Sequence, residues 1–336
     1  GSIFLGVVGP VRTGKSTFIK RFMDCLVLPN ITGEFQRERA NDEMPQASSG
    51  RTIMTTEPKF IPETAARLNM GDGVECNVRL IDCVGYIVPS SLGYIEGDQP
   101  RMVKTPWYEE DIPFNMAAEI GTRKVITEHS TIGLVVTTDG SISDIPREEY
   151  AEAEERVINE LKAINKPFVV LLNCIYPSSE AAVALANELS EKYMVPVIPV
   201  NCLELDEDAI TDILARVLFE FPVKQIYIEL PDWVCSLNNT HPLKTAFISL
   251  VQSSAEGITH IREIKNLKQA ISDFDDAKVC EIKKIELGSG SAELCCELRR
   301  EIFFDVISNS IGTTIKNDRE LMSALFDLSD IKAKYM

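Results

Sequence analysis

The chain has 336 residues, 45% of them hydrophobic, with a mean hydropathy of −0.01, enough for one large core or two modest ones and too apolar for bulk disorder. Against 34 Lys and Arg stand 51 Asp and Glu, a formal charge of −17 that opposes non-specific binding to nucleic acid or to an anionic membrane surface. No apolar run reaches the roughly 20 residues that span a bilayer. The nine cysteines form no CxxC and no Cys/His ligand spacing, so reduced thiols and a cytosolic setting are expected rather than zinc or disulfides. Gly1-Ser2 reads as a cloning scar.

In chain order, Ile3–Val8 is a short apolar strand and Lys15–Leu26 a helix. Strands follow at Asn77–Asp82, Thr131–Val136, Phe168–Asn173 and Val195–Val200. Helices fall between and after the later strands: Pro146–Ile164, with Tyr150, Val157, Leu161 and Ile164 on one face, then Ser179–Lys192 and Asp206–Phe221. Strand alternating with helix predicts an α/β domain, a mostly parallel sheet with helices on both faces. Two stretches break the alternation: Pro29–Pro58, polar and charged, and Gly85–Ser130, punctuated by prolines. Loops of that length in a compact domain are usually functional.

After Phe221-Pro222 the pattern changes, giving an expected domain 1–222 and a smaller α+β region 223–336. Residues 241–274 read as helical. "VCEIKKIELGSGSAELCCEL" alternates around Gly288-Ser289-Gly290-Ser291 as a hairpin does. Asn317, with Glu320 three residues on, resembles a capping box that opens a last helix.

The sharpest signal is Gly9-Pro10-Val11-Arg12-Thr13-Gly14-Lys15-Ser16, a GxxxxGK[ST] loop directly after a strand and opening a helix. Its glycines let backbone N–H groups converge on phosphate, and the helix N-terminus adds partial positive charge. In this reading Lys15 bridges the terminal phosphates, Ser16 gives an oxygen to Mg²⁺, and Thr17 extends the binding set. "NVRLIDCVG" supplies the second carboxylate: Asp82 ends an apolar strand and Gly85 completes DxxG, its N–H expected near the γ-phosphate. Asp82 also suits an ordinary strand-end turn.

Between them lies "GRTIMTTEPKF", where nucleotide switches place a threonine that closes over the γ-phosphate and metal. Thr52, Thr55 and Thr56 qualify by position, although Thr55 and Thr56 equally suit the start of a strand. Arg37, Arg39 and Arg51 lie near enough in sequence to stabilise transferred charge, or are solvated surface charges.

A guanine site would carry Asn-Lys-x-Asp after the strand at Phe168. Here Asn173 remains, but Cys174 holds the Lys position and Tyr176 the Asp position. Hydrogen bonds to a charged group are worth about 1.5–3 kcal/mol each, so loss of that carboxylate favours ATP over GTP. Tyr86 follows DxxG where a water-orienting glutamine is usual, so slow turnover is expected, with Thr55 or Thr56 positioning water.

Together "GPVRTGKSTFIKRFM", "GRTIMTTEPKF", "RLIDCVGY", "GTRKVITEHSTIGLVVTTDGS" and "PVIPVNCL" resemble the stage IV sporulation protein A family, coat-basement ATPases of endospore formers related to translation-factor GTPases. The likeness covers Ile3 to about Leu230 and weakens beyond. It implies a P-loop NTPase fold, ATP and Mg²⁺ as ligands, Lys15 as Walker A lysine and Asp82 as Walker B aspartate. It makes Thr55 and Thr56 the sensor threonines, and Ser16, Asp82 and Thr55 the expected metal set.

The resemblance also implies hydrolysis-driven self-assembly into a static polymer on the outer forespore surface, in the mother-cell cytoplasm. Implied partners are further copies, a small amphipathic membrane-binding spore protein and other coat morphogenetic proteins, met largely through a C-terminal region. This chain is expected to be shorter than the family there. A regulatory switch that binds effectors without polymerising, and a small-molecule phosphotransferase, are the alternatives. His129, Trp107 and Trp233 read as structural, and Cys295 and Cys296 point to opposite faces of a strand.

Overall fold

The computed structural model describes residues 2–31, 33–44, 58–69, 75–91, 93–96, 99–287 and 289–335. The chain divides into two compact units, Gly1–Phe221 and Pro222–Met336.

The first unit runs β1 (Ser2–Val8), α1 (Lys15–Phe22), α2 (Glu34–Asp42), β2 (Lys59–Asn69) and β3 (Glu75–Asp82). Four short strands follow: β4 (Ile95–Glu96), β5 (Gln99–Pro100), β6 (Met102–Thr105) and β7 (Tyr108–Pro113). Then come α3 (Phe114–Lys124), β8 (Ile132–Thr138), α4 (Arg147–Ala163), β9 (Phe168–Asn173), α5 (Glu180–Tyr193), β10 (Val197–Val200) and α6 (Glu207–Phe219). Six strands form one sheet in the order β10-β9-β8-β1-β3-β2, parallel except for β2, which runs antiparallel to β3. It is a mixed α/β unit with a mostly parallel central sheet.

Every residue of β8 and β9 is buried, which explains their unbroken apolar runs: a strand covered on both faces has no polar side to alternate with. On one face Val135, Val170 and Leu172 pack with Tyr150, Val157, Ile158 and Leu161 of α4 and with Ala186 and Leu189 of α5. Each such side chain contributes about 1.5–3 kcal/mol on full burial. Ile164, expected on the buried face of α4, is 43% exposed, because the helix ends at Ala163 and the chain turns away. Ser179 and Asp206 cap α5 and α6, accepting from Ala182 N at 3.2 Å and Ala209 N at 2.8 Å.

The expected helix Lys15–Leu26 is α1 continued by a wider π-type turn, Met23–Val27. The two irregular stretches hold more structure than their composition suggests. Pro29–Pro58 contains α2, and Gly85–Ser130 contains two small hairpins and α3. In α2, Arg37 and Arg39 are exposed, with Arg39 beside Glu43 at 3.5 Å; Arg51 lies outside the described residues. The edge strand β2 is not among the strands read in chain order; its Pro62 falls in the register break between Ile61 and Ala66, where a missing N–H costs no ladder bond. His129 packs edge-on against Phe60, ring centroids 5.7 Å apart.

The second unit runs β11 (Gln225–Glu229), α7 (Asp232–Cys235), α8 (Pro242–Ala255), α9 (Ile264–Ser272), β12 (Ala277–Glu286), β13 (Ser291–Leu298), α10 (Arg300–Ile311) and α11 (Asp318–Tyr335). The expected hairpin is β12–β13, and β11 joins it parallel to β13. The stretch read as helical splits into α8 and α9 at Gly257, where φ is +87°. Phe247, Ile264, Leu267, Ile271, Ala292 and Leu294 form this core, where Cys280 and Cys296 face each other with Sγ atoms 3.1 Å apart. Trp233 packs in a satellite cluster with Val234, Leu243 and Leu298. Asn317 accepts from Glu320 N at 3.0 Å and opens α11.

Candidate functional site

Parallel pairing aligns strand ends, and the register decides what stands beside what. Val7 of β1 pairs with Asp82 of β3, while Thr138 of β8 and Val200 of β10 both pair with Asn173 of β9. The loops leaving β1, β3, β8, β9 and β10 therefore emerge along one sheet edge, the carboxyl edge where open parallel sheets hold ligands.

The loop after β1 winds through Gly9, Arg12 and Gly14 at φ of +142°, +62° and +94° and delivers the chain into α1 at Lys15. A Cβ on Gly9 would stand 2.3 Å from Val136 O, and one on Gly14 would stand 2.2 Å from Asn173 Nδ2, so neither position admits a side chain. Thr13 Oγ1 donates to Pro10 O at 3.0 Å, and Val11 is buried beneath the turn. The first turn of α1 carries Ser16 and Thr17, no side-chain cap and no acidic residue, leaving its N–H groups and dipole to an anion. Lys15 is buried; its Nζ donates to Pro10 O at 2.5 Å, and burial pushes its pKa below the ordinary lysine value.

Asp82 faces this turn. Ser16 Oγ donates to its Oδ2 at 3.4 Å, and its Oδ1 is buried without a partner. Burial pushes the carboxyl up to about 6, with the Lys15 charge pulling the other way. A buried orphan carboxylate oxygen beside a hydroxyl is a donor set suited to a hard cation such as Mg²⁺.

Gly85, at φ +94°, lies under the phosphate loop: a Cβ there would meet Gly9 O at 2.2 Å and Lys15 Nζ at 2.6 Å. Its N–H donates to Thr122 Oγ1 of α3 at 3.1 Å. Tyr86 ties the two loops through its backbone, accepting from Val11 N at 2.9 Å and donating to Gly9 O at 3.2 Å. The Tyr86 hydroxyl donates to Glu160 at 2.5 Å, and Arg156 sits 4.3 Å from the ring centroid. Burial and Glu160 raise its pKa. This side chain is committed to α4.

At the far end, Asn173 Nδ2 donates to Thr13 O at 3.0 Å and its Oδ1 accepts from Cys202 N at 3.0 Å, linking the phosphate loop to the loops after β9 and β10. Cys174 is buried and Tyr176 is exposed. Gly9 through Thr17, Asp82, Gly85 and Asn173 are thus brought together. Thr52, Thr55 and Thr56 lie outside the described residues. Nothing local singles out Thr122, because its partner is a backbone N–H 37 residues away. Ser141 was also missed: it accepts from Ile175 N at 3.0 Å and couples the loop after β8 to that after β9.

Comparison with known proteins bears on both units. Residues 1–222 match the model of the stage IV sporulation protein A ATPase domain, and residues 223–336 match that of the middle domain. The chain is 46% identical over 335 residues to stage IV sporulation protein A of Bacillus anthracis, and 46% to that of Clostridioides difficile strain 630. It is 45% identical to that of Bacillus subtilis strain 168. Each alignment covers 100% of this chain and 68% of the relative.

Proposed function

The chain belongs to the stage IV sporulation protein A family, and on that footing we propose that it is a P-loop ATPase whose slow hydrolysis of ATP drives its own assembly. The observation that carries the reading is the buried, unpartnered Asp82 Oδ1 beside Ser16, under a glycine turn that leaves no room for a side chain. Residues 1–222 act as the catalytic domain and 223–336 as the middle domain.

The phosphates lie in the turn Gly9–Gly14 and against the first N–H groups of α1, including those of Lys15, Ser16 and Thr17. Ser16 and Asp82 would hold Mg²⁺, with Thr55 as a further expected ligand. The ion neutralises the developing phosphate charge when bound. Lys15, now on Pro10 O, moves to the terminal phosphate, where its desolvated charge acts at full strength. Gly85 exchanges Thr122 for a γ-phosphate oxygen. Thr55 and Thr56 position the attacking water, since Tyr86 is held by Glu160. The Asn173 side chain braces the phosphate loop, and without a carboxylate at position 176 ATP is preferred to GTP.

The energy is spent on a conformational change that lets copies join into a static polymer on the outer forespore surface, the base of the spore coat, facing the mother-cell cytoplasm. A small amphipathic membrane-binding spore protein recruits it there, and other coat morphogenetic proteins build upon it. Among the described residues no helix is long and apolar enough to cross a membrane. Sedimentation with Mg·ATP tests the reading: the wild type forms large species and Lys15→Ala stays small. If the wild type stays small with every nucleotide while still hydrolysing ATP, the assembly half is wrong and a regulatory switch replaces it.

A further inference from the structure

Isolated exposed apolar side chains are ordinary on any protein surface. Three at one stapled corner beside a phosphate loop are not. Ile175 and Tyr176 in the loop after β9 are 43% and 74% exposed, and Leu203 in the loop after β10 is 73% exposed. Asn201 binds these loops into one piece: its Nδ2 donates to Ile175 O at 3.3 Å, and its Oδ1 accepts from Leu203 N at 3.1 Å. Ser179 N donates to Tyr176 O at 3.1 Å and fixes the backbone of that residue at the start of α5. The corner joins the phosphate loop through Asn173, which contacts Thr13 on one side and Cys202 on the other.

Its polar groups are largely consumed. Ile175 N–H goes to Ser141, Ser141 itself donates to Asp139 at 2.6 Å, and both ends of the Asn201 amide are used. What the corner offers a ligand is the faces of side chains rather than a row of free donors and acceptors. Its two loops, after β9 and after β10, stand two and three strand positions from β1 in the sheet order, about 10 and 14 Å at the usual strand spacing, a span comparable with an extended nucleoside triphosphate. A purine ring, flat with apolar faces, fits such a platform.

We infer that Tyr176, with Leu203 and Ile175, holds the adenine ring by stacking on its face, replacing recognition of the base edge by a carboxylate. This rests on the proposed function, since it needs a nucleotide in the phosphate loop. Base stacking on an aromatic side chain has a substantial effect on affinity when the aromatic is cut to alanine. A stacking contact is present equally in ground and transition states, so its loss raises KM and leaves kcat.

The test is calorimetric titration of Mg·ATP and of Mg·tripolyphosphate into wild type, Tyr176→Ala, Tyr176→Phe and Leu203→Ser, with steady-state phosphate release alongside. Tyr176→Ala is expected to weaken ATP about tenfold, to raise KM by the same factor with kcat within about twofold, and to leave tripolyphosphate unchanged; Tyr176→Phe binds like the wild type and Leu203→Ser falls between. ATP affinity unchanged in Tyr176→Ala, or tripolyphosphate weakened as much as ATP, overturns the inference while the ATPase reading stands. A folded wild type that binds tripolyphosphate but not ATP, or neither, overturns both.

Discussion

Gly85 donates its backbone N–H to Thr122 Oγ1, 3.1 Å away on a helix 37 residues further along the chain. Thr122 is fully buried, so this hydroxyl is the resting acceptor for an amide that the proposed mechanism sends to the γ-phosphate. A neutral hydrogen bond of this kind is worth about 0.5–1.5 kcal/mol net. Thr122→Val removes the resting acceptor and makes the exchange easier for ATP than for ADP. The ratio of ATP to ADP affinity should rise about threefold to tenfold, with Thr122→Ser like the wild type. Calorimetry with both nucleotides reads this directly, and an unchanged ratio removes Thr122 from the switch.

Asp82 gives a pH dependence with a definite sign. Its carboxyl is raised from 3.8 to about 6 by burial, so the folded state keeps a proton that the unfolded chain releases. From this group, stability of the nucleotide-free protein is full below about pH 4 and falls as pH rises to about 6. Above that the carboxylate is charged with Oδ1 unpaired, which is when a cation helps most. Thermal melting should show a larger Mg·ADP stabilisation at pH 7.5 than at pH 5, about two- to threefold in temperature shift. Asp82→Asn should lose that difference.

Much of this arrangement could be foreseen from the order of residues, for a physical reason. Strands β8 and β9 are buried on both faces and apolar over most of their length, so Thr131–Val136 and Phe168–Asn173 announce themselves, while the end of β8 at the buried Thr137 and Thr138 does not. The glycines of the phosphate loop are demanded by close approach, and Asp82 and Asn173 stand at strand ends that the parallel register brings to one edge. What escaped lacks a local cause. The strand β2 depends on pairing with β3, α3 follows two small hairpins in a stretch punctuated by prolines, and Thr122 acquires meaning only when α3 packs beneath Gly85. Tyr176 reads as the loss of a carboxylate in the sequence; its exposure, and the Asn201 bonds that tie its loop to that of Leu203, are visible only in the fold.

Glu154 is the polar anchor of the sheet face under α4 and α5. Fully buried, it accepts from Thr137, from Arg147 Nη2 at 2.8 Å and from Tyr193 Oη at 2.9 Å. Burial, with the Glu154 charge, pushes the Tyr193 hydroxyl up to about 12. Removing one partner of a buried, paired charge costs about 3–5 kcal/mol because the others are left unmatched. Glu154→Ala should lower the unfolding free energy of the first unit, read from urea titration, by that amount, and Glu154→Gln by clearly less. Equal losses in the two variants would show that packing volume, not charge, sets the cost.

Gly14→Ala isolates the cradle from the chemistry. The new Cβ stands 2.2 Å from Asn173 Nδ2 at a φ of +94°, so the Asn173–Thr13 bond must break. A destabilisation of more than about 1 kcal/mol is expected, together with loss of nucleotide binding. Adding Asn173→Ala removes the clashing amide but leaves the backbone strain, so the double variant should recover part of the stability. Paired denaturation curves of the single and double variants decide this, and no recovery would mean that the strain alone carries the cost.

The most direct test of the account is release of inorganic phosphate from Mg·ATP, compared with Mg·GTP, by the wild type and by Lys15→Ala. The account expects slow, magnesium-dependent release from ATP, markedly less from GTP, and none from either with Lys15→Ala, whose nucleotide-free fold should survive because it loses only a desolvated charge on Pro10 O. Equal release by Lys15→Ala, or a clear preference for GTP, would contradict it.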